Sequence, residues 1–239
     1  EVSHRPNMPL QVDDVELLFA ALTPLNPFIP VPALQFNSQL GSYALGQEVR
    51  GWREHEVSQV QMTFTKAFAQ AFGADQIAVV AELGGTEVWD LPPQSELRYE
   101  GEGTDTGGGC DVGDVLAAGF PGAGALQFGC LRNPLTGTGG FPTAFSWGYR
   151  LAARADYASA FGTPVTLSPR VAFNHDVNGI TPGPGGNFLE GRKSLTLGLE
   201  ANYLNQWVFD LSYTQFSGAE QYNQIHDRDF AAFTVKYSF

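Results

Sequence analysis

The sequence predicts an all-β fold: a transmembrane antiparallel β-barrel of the outer-membrane type, with long extracellular loops and about seven or eight strands in this chain. Two observations predict it. Short segments alternate between apolar and polar residues, as strands with two different faces do. The connections between these segments alternate between long and short, as they do at the two rims of a barrel. We expect residues 1–239 to form a single β-barrel domain, the C-terminal portion of a larger barrel.

The composition agrees with many short strands and excludes two other classes of protein. The chain has 28 Gly, 15 Pro and 18 Phe, which suits strands separated by turns. No apolar stretch approaches the roughly 18 residues that a spanning helix needs, so a helical membrane protein is excluded. With a net charge of −12 the chain has no basic patch to neutralise phosphates, so nucleic acid is excluded as a partner.

The C-terminal segment has the clearest alternation. Phe233, Val235, Tyr237 and Phe239 fall on one face, and the positions between them are small or polar. In a barrel the first face meets the lipid of the outer membrane and the second meets the lumen. A terminal Phe preceded by apolar residues at alternate positions resembles the signal that the barrel assembly machinery reads. We therefore expect that machinery as a partner.

Similar alternation predicts the other strands, over about 57–68, 76–89, 147–157, 165–174, 195–203 and 207–214. Residues 1–5 resemble the end of another strand, and Glu1 does not begin a secretory signal peptide. We therefore expect an upstream part of the same barrel. The apolar residues of the last strands should face lipid and not a protein core: Leu195, Leu197, Phe209, Leu211, Phe233, Val235 and Tyr237.

The connections favour a barrel over a soluble sandwich. Long connections span about 6–56, 90–144, 178–193 and 217–229, and short ones span about 69–75, 159–164 and 205–206. Barrels of the bacterial outer membrane have short periplasmic turns and long outer loops, whereas sandwiches do not sort their loops by length. This predicts an outer-membrane location with a periplasmic C-terminus. Aromatic residues fall near both predicted rims, as in interfacial girdles: Tyr157, Tyr203, Trp207, Tyr237, Phe239, Trp89, Trp147 and Tyr213.

Several segments also carry a resemblance to a known family. The strongest is 168–193, and the others are 5–10, 54–59, 72–76, 90–93, 146–150 and, more loosely, 227–230. Together they resemble a proteobacterial outer-membrane family known as domain of unknown function 1302. The resemblance implies a chain that continues upstream and a role beside export or uptake systems for hydrophobic compounds. It brings no established catalytic residues.

Charged residues on the polar side of adjacent strands form the main candidate site. The members of this charge cluster are Arg150, Arg154, Arg170, Asp156, Asp176 and Glu82. In a barrel they would line the lumen and select solutes by charge or anchor a plug. Alternatively they form a network of salt bridges that holds the lumen closed, since buried charges must be paired.

Three further features allow more than one interpretation. Cys110 and Cys130 predict a disulfide within an outer loop, and two free thiols are the alternative. Residues 13–22 predict an amphipathic helix that Asp13 or Asp14 caps. Its apolar face consists of Val15, Leu18, Phe19 and Leu22. The helix could serve as a gate or as a landing surface for ligands, or it could be a packed loop helix. Residues 174–179 lack the acidic spacing of a calcium loop and predict a turn, so we expect no metal site.

The sequence therefore predicts a transport or channel barrel without enzymatic activity or cofactor, for hydrophobic or amphipathic small molecules. A structural or partner-binding barrel with a closed lumen is the first alternative. An outer-membrane hydrolase is the second, and it would need a Ser and a positioned His in contact.

Overall fold

The computed structural model describes residues 1–30, 35–102, 139–183, 185–219 and 222–239. Its eight strands form one antiparallel sheet in chain order. The strands are β1 (Val2–Gln11), β2 (Trp52–Ala71), β3 (Ala74–Val88), β4 (Phe145–Asp156), β5 (Val165–Asn178), β6 (Lys193–Tyr203), β7 (Trp207–Ser217) and β8 (Phe230–Tyr237). The helical segments are α1 (Asp14–Leu22) and two 3₁₀ helices, Thr23–Phe28 and Ala160–Gly162.

The predicted all-β fold is confirmed, and closure into a barrel stays a prediction. Within the described residues β1 pairs only with β2 and β8 only with β7, so the sheet is open at both edges. No helix in this part of the chain is both long and apolar enough to cross a membrane.

Several strands extend beyond their predicted bounds, and β2 does so at both of its ends. The 20 residues of β2 and the 15 of β3 meet in a hairpin whose turn is only residues 72–73. Phe72 and Gly73 both have positive φ, 52° and 78°, which matches the twist of a two-residue hairpin turn. The short connections 72–73, 157–164 and 204–206 thus share one rim, and the long ones, 12–51, 89–144, 179–192 and 218–229, share the other.

The strand register separates an apolar face from a polar face. Across β2 to β4, Met62 lies opposite Leu83, which lies opposite Tyr149. One residue further along, Glu82 lies opposite Arg150 on the other face. No second sheet covers the apolar face in the described part of the chain. Of the seven residues predicted to avoid a protein core, Leu195 is half-buried and the others are exposed: Leu197, Phe209, Leu211, Phe233, Val235 and Tyr237.

The buried apolar core lies at the rim of the long loops and not between two layers of the sheet. Leu10, Val57 and Val88 at the strand ends pack with Val12 and Tyr99 from the loops. Burial of this kind fixes the first two long loops against β1 to β3.

Helix α1 packs on this rim with a face that matches the predicted one in part. Phe19 is buried and Val15 and Leu22 are half-buried as predicted, but Leu18 is 54% exposed and Glu16 is fully buried. The reason is an ion pair: Glu16 accepts a hydrogen bond from Arg98, 2.5 Å away, and turns the helix inward on that side. The amphipathic pattern alone therefore missed the burial of Glu16 and the exposure of Leu18.

Candidate functional site

The polar face of the sheet holds a network of arginine–carboxylate pairs. Near the outer rim, Arg150 of β4 donates to Asp176 of β5 at 2.7 Å. Asp176 is 2% exposed and also accepts from Arg192, at 2.7 Å, and from the Leu189 N–H, at 3.1 Å. Arg192 in turn reaches Glu102 at 2.7 Å. Asp176 therefore ties the loop 179–192 to the sheet.

A second group of pairs lies deeper on the same face. Arg154 contacts Asp156 at 2.8 Å and Glu200 at 3.1 Å. Arg170 makes two hydrogen bonds to Asp210, at 2.5 and 2.8 Å. Arg154 and Arg170 lie opposite each other in the register, so acids from β6 and β7 offset their repulsion.

Sequence reasoning placed the three arginines on one face, and the structure brings them there, but it did not find all of their partners. Glu200 and Asp210, which lie opposite each other in β6 and β7, were missed. Both lie at positions of β6 and β7 whose side chains face the polar side of the sheet. The alternation in these two strands could therefore have identified them. Glu82 lies opposite Arg150 but makes none of the salt bridges found among the described residues.

The loop 179–192 folds back over the polar face. Phe188 lies against Gly84 and Gly148, where an added Cβ would come within 3.2 Å and 3.0 Å of the Phe188 ring. The two glycines therefore permit the loop to approach the sheet. Phe188 also borders a cavity of about 250 Å³ that Glu82 and Arg150 line.

A groove of about 590 Å³ lies on the apolar face directly behind this cavity. Its walls are mainly aromatic or aliphatic: Met62, Leu83, Trp89, Phe145 and Trp147. Both the groove and the cavity are bordered by Val60, Gly84 and Gly85. At the two glycines the sheet carries no side chain on either face, so only backbone separates the groove from the cavity.

A serine and a histidine meet at the edge of the groove. His4 Nδ1 lies 3.0 Å from Ser58 Oγ, which also accepts a hydrogen bond from Trp89 Nε1 at 2.9 Å. His4 and Ser58 are neighbours in the register of β1 and β2. Within the described residues no carboxylate contacts His4, so the third group that orients a catalytic base is missing from this pair.

The segment 174–179, predicted as a turn, is mostly strand. β5 continues to Asn178 because Asp176 is held by two arginines, and the chain turns only at Gly179. Gly179 has φ of 78°, and a Cβ there would clash with the Phe145 carbonyl oxygen. The turn prediction was therefore wrong for residues 174–178.

Three carboxylates that the sequence analysis did not single out as a group meet at the rim. One oxygen each from Asp13, Asp14 and Glu100 lies within 4.8 Å of the others. Asp13 is 1% exposed and stands at the N-cap of α1, but its side chain makes no capping hydrogen bond. Burial, and then the charge of Glu100, raise the pKa of Asp13 to about 7. The cap that the sequence predicted is therefore made differently, since the Asp14 N–H donates to Glu100 at 3.0 Å.

The remaining predicted residues fall in two places. Cys110 and Cys130 lie outside the described residues, and so does their predicted disulfide. The proposed assembly signal lies at the exposed edge of the sheet, on or just after β8, where the Tyr237 and Trp207 rings are 4.6 Å apart. Its members are Phe233, Val235, Tyr237 and Phe239.

The family described as Protein of unknown function (DUF1302) matches the chain over residues 1–239, and the chain belongs to this family. No curated protein and no solved structure matches the chain.

Proposed function

We propose that this member of the family is part of an outer-membrane β-barrel that passes hydrophobic or amphipathic small molecules. The exposed apolar face supports a membrane location, because soluble monomers seldom expose apolar patches of more than a few hundred Å². Phe64, Leu211 and Phe233 in β2, β7 and β8 are 61%, 55% and 67% exposed, so the face extends across most of the sheet. A transmembrane strand needs about 9–11 residues, and most of these strands have at least that many.

The open edges of the sheet support closure by further strands. In lipid, each unpaired N–H or C=O of β1 and β8 would cost several kcal/mol, by the order of magnitude known for such groups. We propose that strands from an upstream part of the same barrel pair with these edges. The polar face then lines a lumen, and the long loops stand on the outer side with the C-terminus in the periplasm.

The observation that carries the transport proposal is the pairing of the groove with the cavity behind Gly84 and Gly85. An apolar recess open to lipid suits a greasy molecule. The cavity across the glycines is bordered by Phe188 of the inward-folded loop. At Gly84 and Gly85 no side chain stands between the two recesses.

The test fills the groove without changing the rest of the wall. In Gly85→Leu the new Cβ lies 3.5 Å from the Phe145 ring, an ordinary contact, and the side chain extends into the groove. Ala81→Leu also enlarges a side chain on the same face of β3, but outside the groove, and is the control. Both variants are made in the full-length natural protein and expressed at matched outer-membrane levels.

We expect cells with the wild-type protein to take up a naphthylamine dye, which an intact outer membrane excludes, faster than cells without it. Gly85→Leu should abolish this gain and Ala81→Leu should keep it. Equal uptake with and without the protein would contradict transport. Equal uptake by the two variants would contradict the groove as the route.

Two observations each favour one of the alternative functions. All three arginines predicted to line the lumen have carboxylate partners, which favours a structural barrel with a closed lumen. The contact between His4 and Ser58 favours a hydrolase. Hydrolysis of a nitrophenyl ester by the detergent-solubilised wild type, lost in Ser58→Ala, would establish the hydrolase. Absence of dye uptake and of ester hydrolysis would leave the structural function.

A further inference from the structure

We propose that Asp13, Asp14 and Glu100 bind a divalent cation of the calcium type at the junction of the first two long loops. This site is separate from the groove and the charged network. It does not depend on the transport function, so it can fail or hold independently of it.

The spacing of the carboxylates suits one shared ion. One oxygen from each residue lies within 4.8 Å of the others. Ca²⁺ binds oxygen at about 2.3–2.6 Å, so two oxygens on the same ion lie up to about 5 Å apart, whereas Mg²⁺ at about 2.1 Å requires closer oxygens. Three carboxylates offer up to about six oxygens, and water completes the usual shell of about 6–8. The three oxygens are therefore close enough for small side-chain movements to bring them onto one Ca²⁺.

Asp13 gives the second, independent indication of a ligand. Its side chain is 1% exposed, and its Oδ1 is buried without a hydrogen-bond partner. Buried carboxylates in folded proteins are normally paired with a cation or hydrogen-bonded, because burying one alone is costly. Asp13 sits at the helix N-cap, yet its carboxylate makes no capping hydrogen bond to α1. A buried carboxylate oxygen that accepts no hydrogen bond, in a residue that meets two further carboxylates, is accounted for by a bound cation.

The charges around Asp13 favour a cation. Asp13 interacts with the carboxylates of Glu100, Asp14 and Glu16 and with the guanidinium of Arg98, which is also paired with Glu16. A divalent cation bound to the Asp13 carboxylate would reduce the repulsion between these acids.

A cation here would join two segments that are far apart in the chain. Asp13 and Asp14 begin α1 in the loop 12–51, and Glu100 lies in the loop 89–144. These loops already meet beside the site, where Val12 forms a bridge with Tyr99 and the Asp13 N–H donates to the Arg98 carbonyl at 3.1 Å. The ion would fix the helix over the outer ends of β1 to β3.

The site is tested by thermal unfolding of the full-length protein in detergent. The unfolding midpoint is measured once with CaCl₂ and once with EDTA. At a calcium concentration ten times Kd, we expect the wild-type midpoint to rise by about 3–5 °C. Asp13→Asn should remove this response to calcium. In EDTA the variant should unfold at a higher temperature than the wild type, because it lacks the buried carboxylate that has no cation. Glu96→Gln changes an exposed acid in the same loop and should keep the full response. Mg²⁺ should give a smaller shift.

Calcium titration calorimetry keeps the proposal testable if Asp13→Asn does not fold. The wild type and Glu96→Gln should bind one more Ca²⁺ than Asp14→Asn. No calcium response of the wild type in either measurement would overturn the proposal, and a proton on Asp13 would then be the compensating charge. Unchanged binding by Asp14→Asn would overturn it too, because the ion would lie elsewhere.

Discussion

Arginine–carboxylate pairs occur in two different settings in this molecule. At the loop rim, Arg98 and Glu16 have side chains that are 4% and 0% exposed, and Arg98 stacks 4.8 Å from the centre of the Phe141 ring. On the polar face of the sheet, Arg170 and Asp210 are 31% and 24% exposed. A buried pair that loses one partner leaves a charge without solvent, whereas water replaces much of what an exposed pair loses. The same chemistry thus fixes the loops at the rim and leaves the polar face of the sheet adjustable.

The largest effect is expected at the rim. Arg98→Met should lower the free energy of unfolding by about 3–5 kcal/mol, since Glu16 then remains buried without its partner. It should also speed proteolysis within residues 12–51. Denaturant unfolding measures the first effect and limited proteolysis the second. Arg5→Met, on an exposed arginine of β1, is the control and should change neither; equal behaviour of the two variants would contradict the comparison.

An intermediate effect is expected at Asp176, which belongs to both settings. Its carboxylate is 2% exposed, but its partners Arg150 and Arg192 are 34% and 20% exposed. Asp176→Asn should therefore cost about 2 kcal/mol, less than a fully buried pair, because water reaches both arginines.

Asp176→Asn should also loosen the loop 179–192 from the sheet, which hydrogen exchange of the Leu189 amide would report. Asp227→Asn, in an exposed part of another long loop, is the control. Unchanged protection of Leu189 in Asp176→Asn would show that other contacts hold the loop, such as that of Phe188 with Gly84 and Gly148.

The smallest effect on stability is expected on the polar face. Arg170→Ala and Arg154→Ala should each change the free energy of unfolding by about 0–1 kcal/mol, since both pairs are partly exposed. If these arginines select solutes, each change should alter the flux of charged solutes while the protein still assembles. A loss of several kcal/mol with unchanged flux would show that the network is structural.

The difference between the two settings also explains how much the sequence could predict. The two faces of the sheet follow from alternation within each strand, so the positions of Arg150, Arg154 and Arg170 could be predicted from parity. The alternation of loop lengths likewise gave the sorting of the two rims. Both are local patterns, and they need no knowledge of which distant segments meet.

The rim could not be predicted in this way. Arg98 and Glu16 are 82 positions apart, and their contact depends on how two long loops fold together. Nothing in the period of residues 13–22 indicates that Glu16 points inward. The same holds for the meeting of Asp13 with Glu100 and for the Arg192 that completes the shell of Asp176.

The central claim is that the apolar face of this sheet contacts lipid and the polar face does not. Single cysteines at Leu197, Leu211 and Phe233, and at the neighbouring Thr196, Ser212 and Ala232, would carry a fluorophore in the full-length protein reconstituted into vesicles. With brominated lipids, strong quenching at the first three positions and weak quenching at the other three are predicted, because adjacent strand residues point to opposite faces. Equal quenching at both sets of positions, or none at Leu197, Leu211 and Phe233, would contradict the membrane assignment.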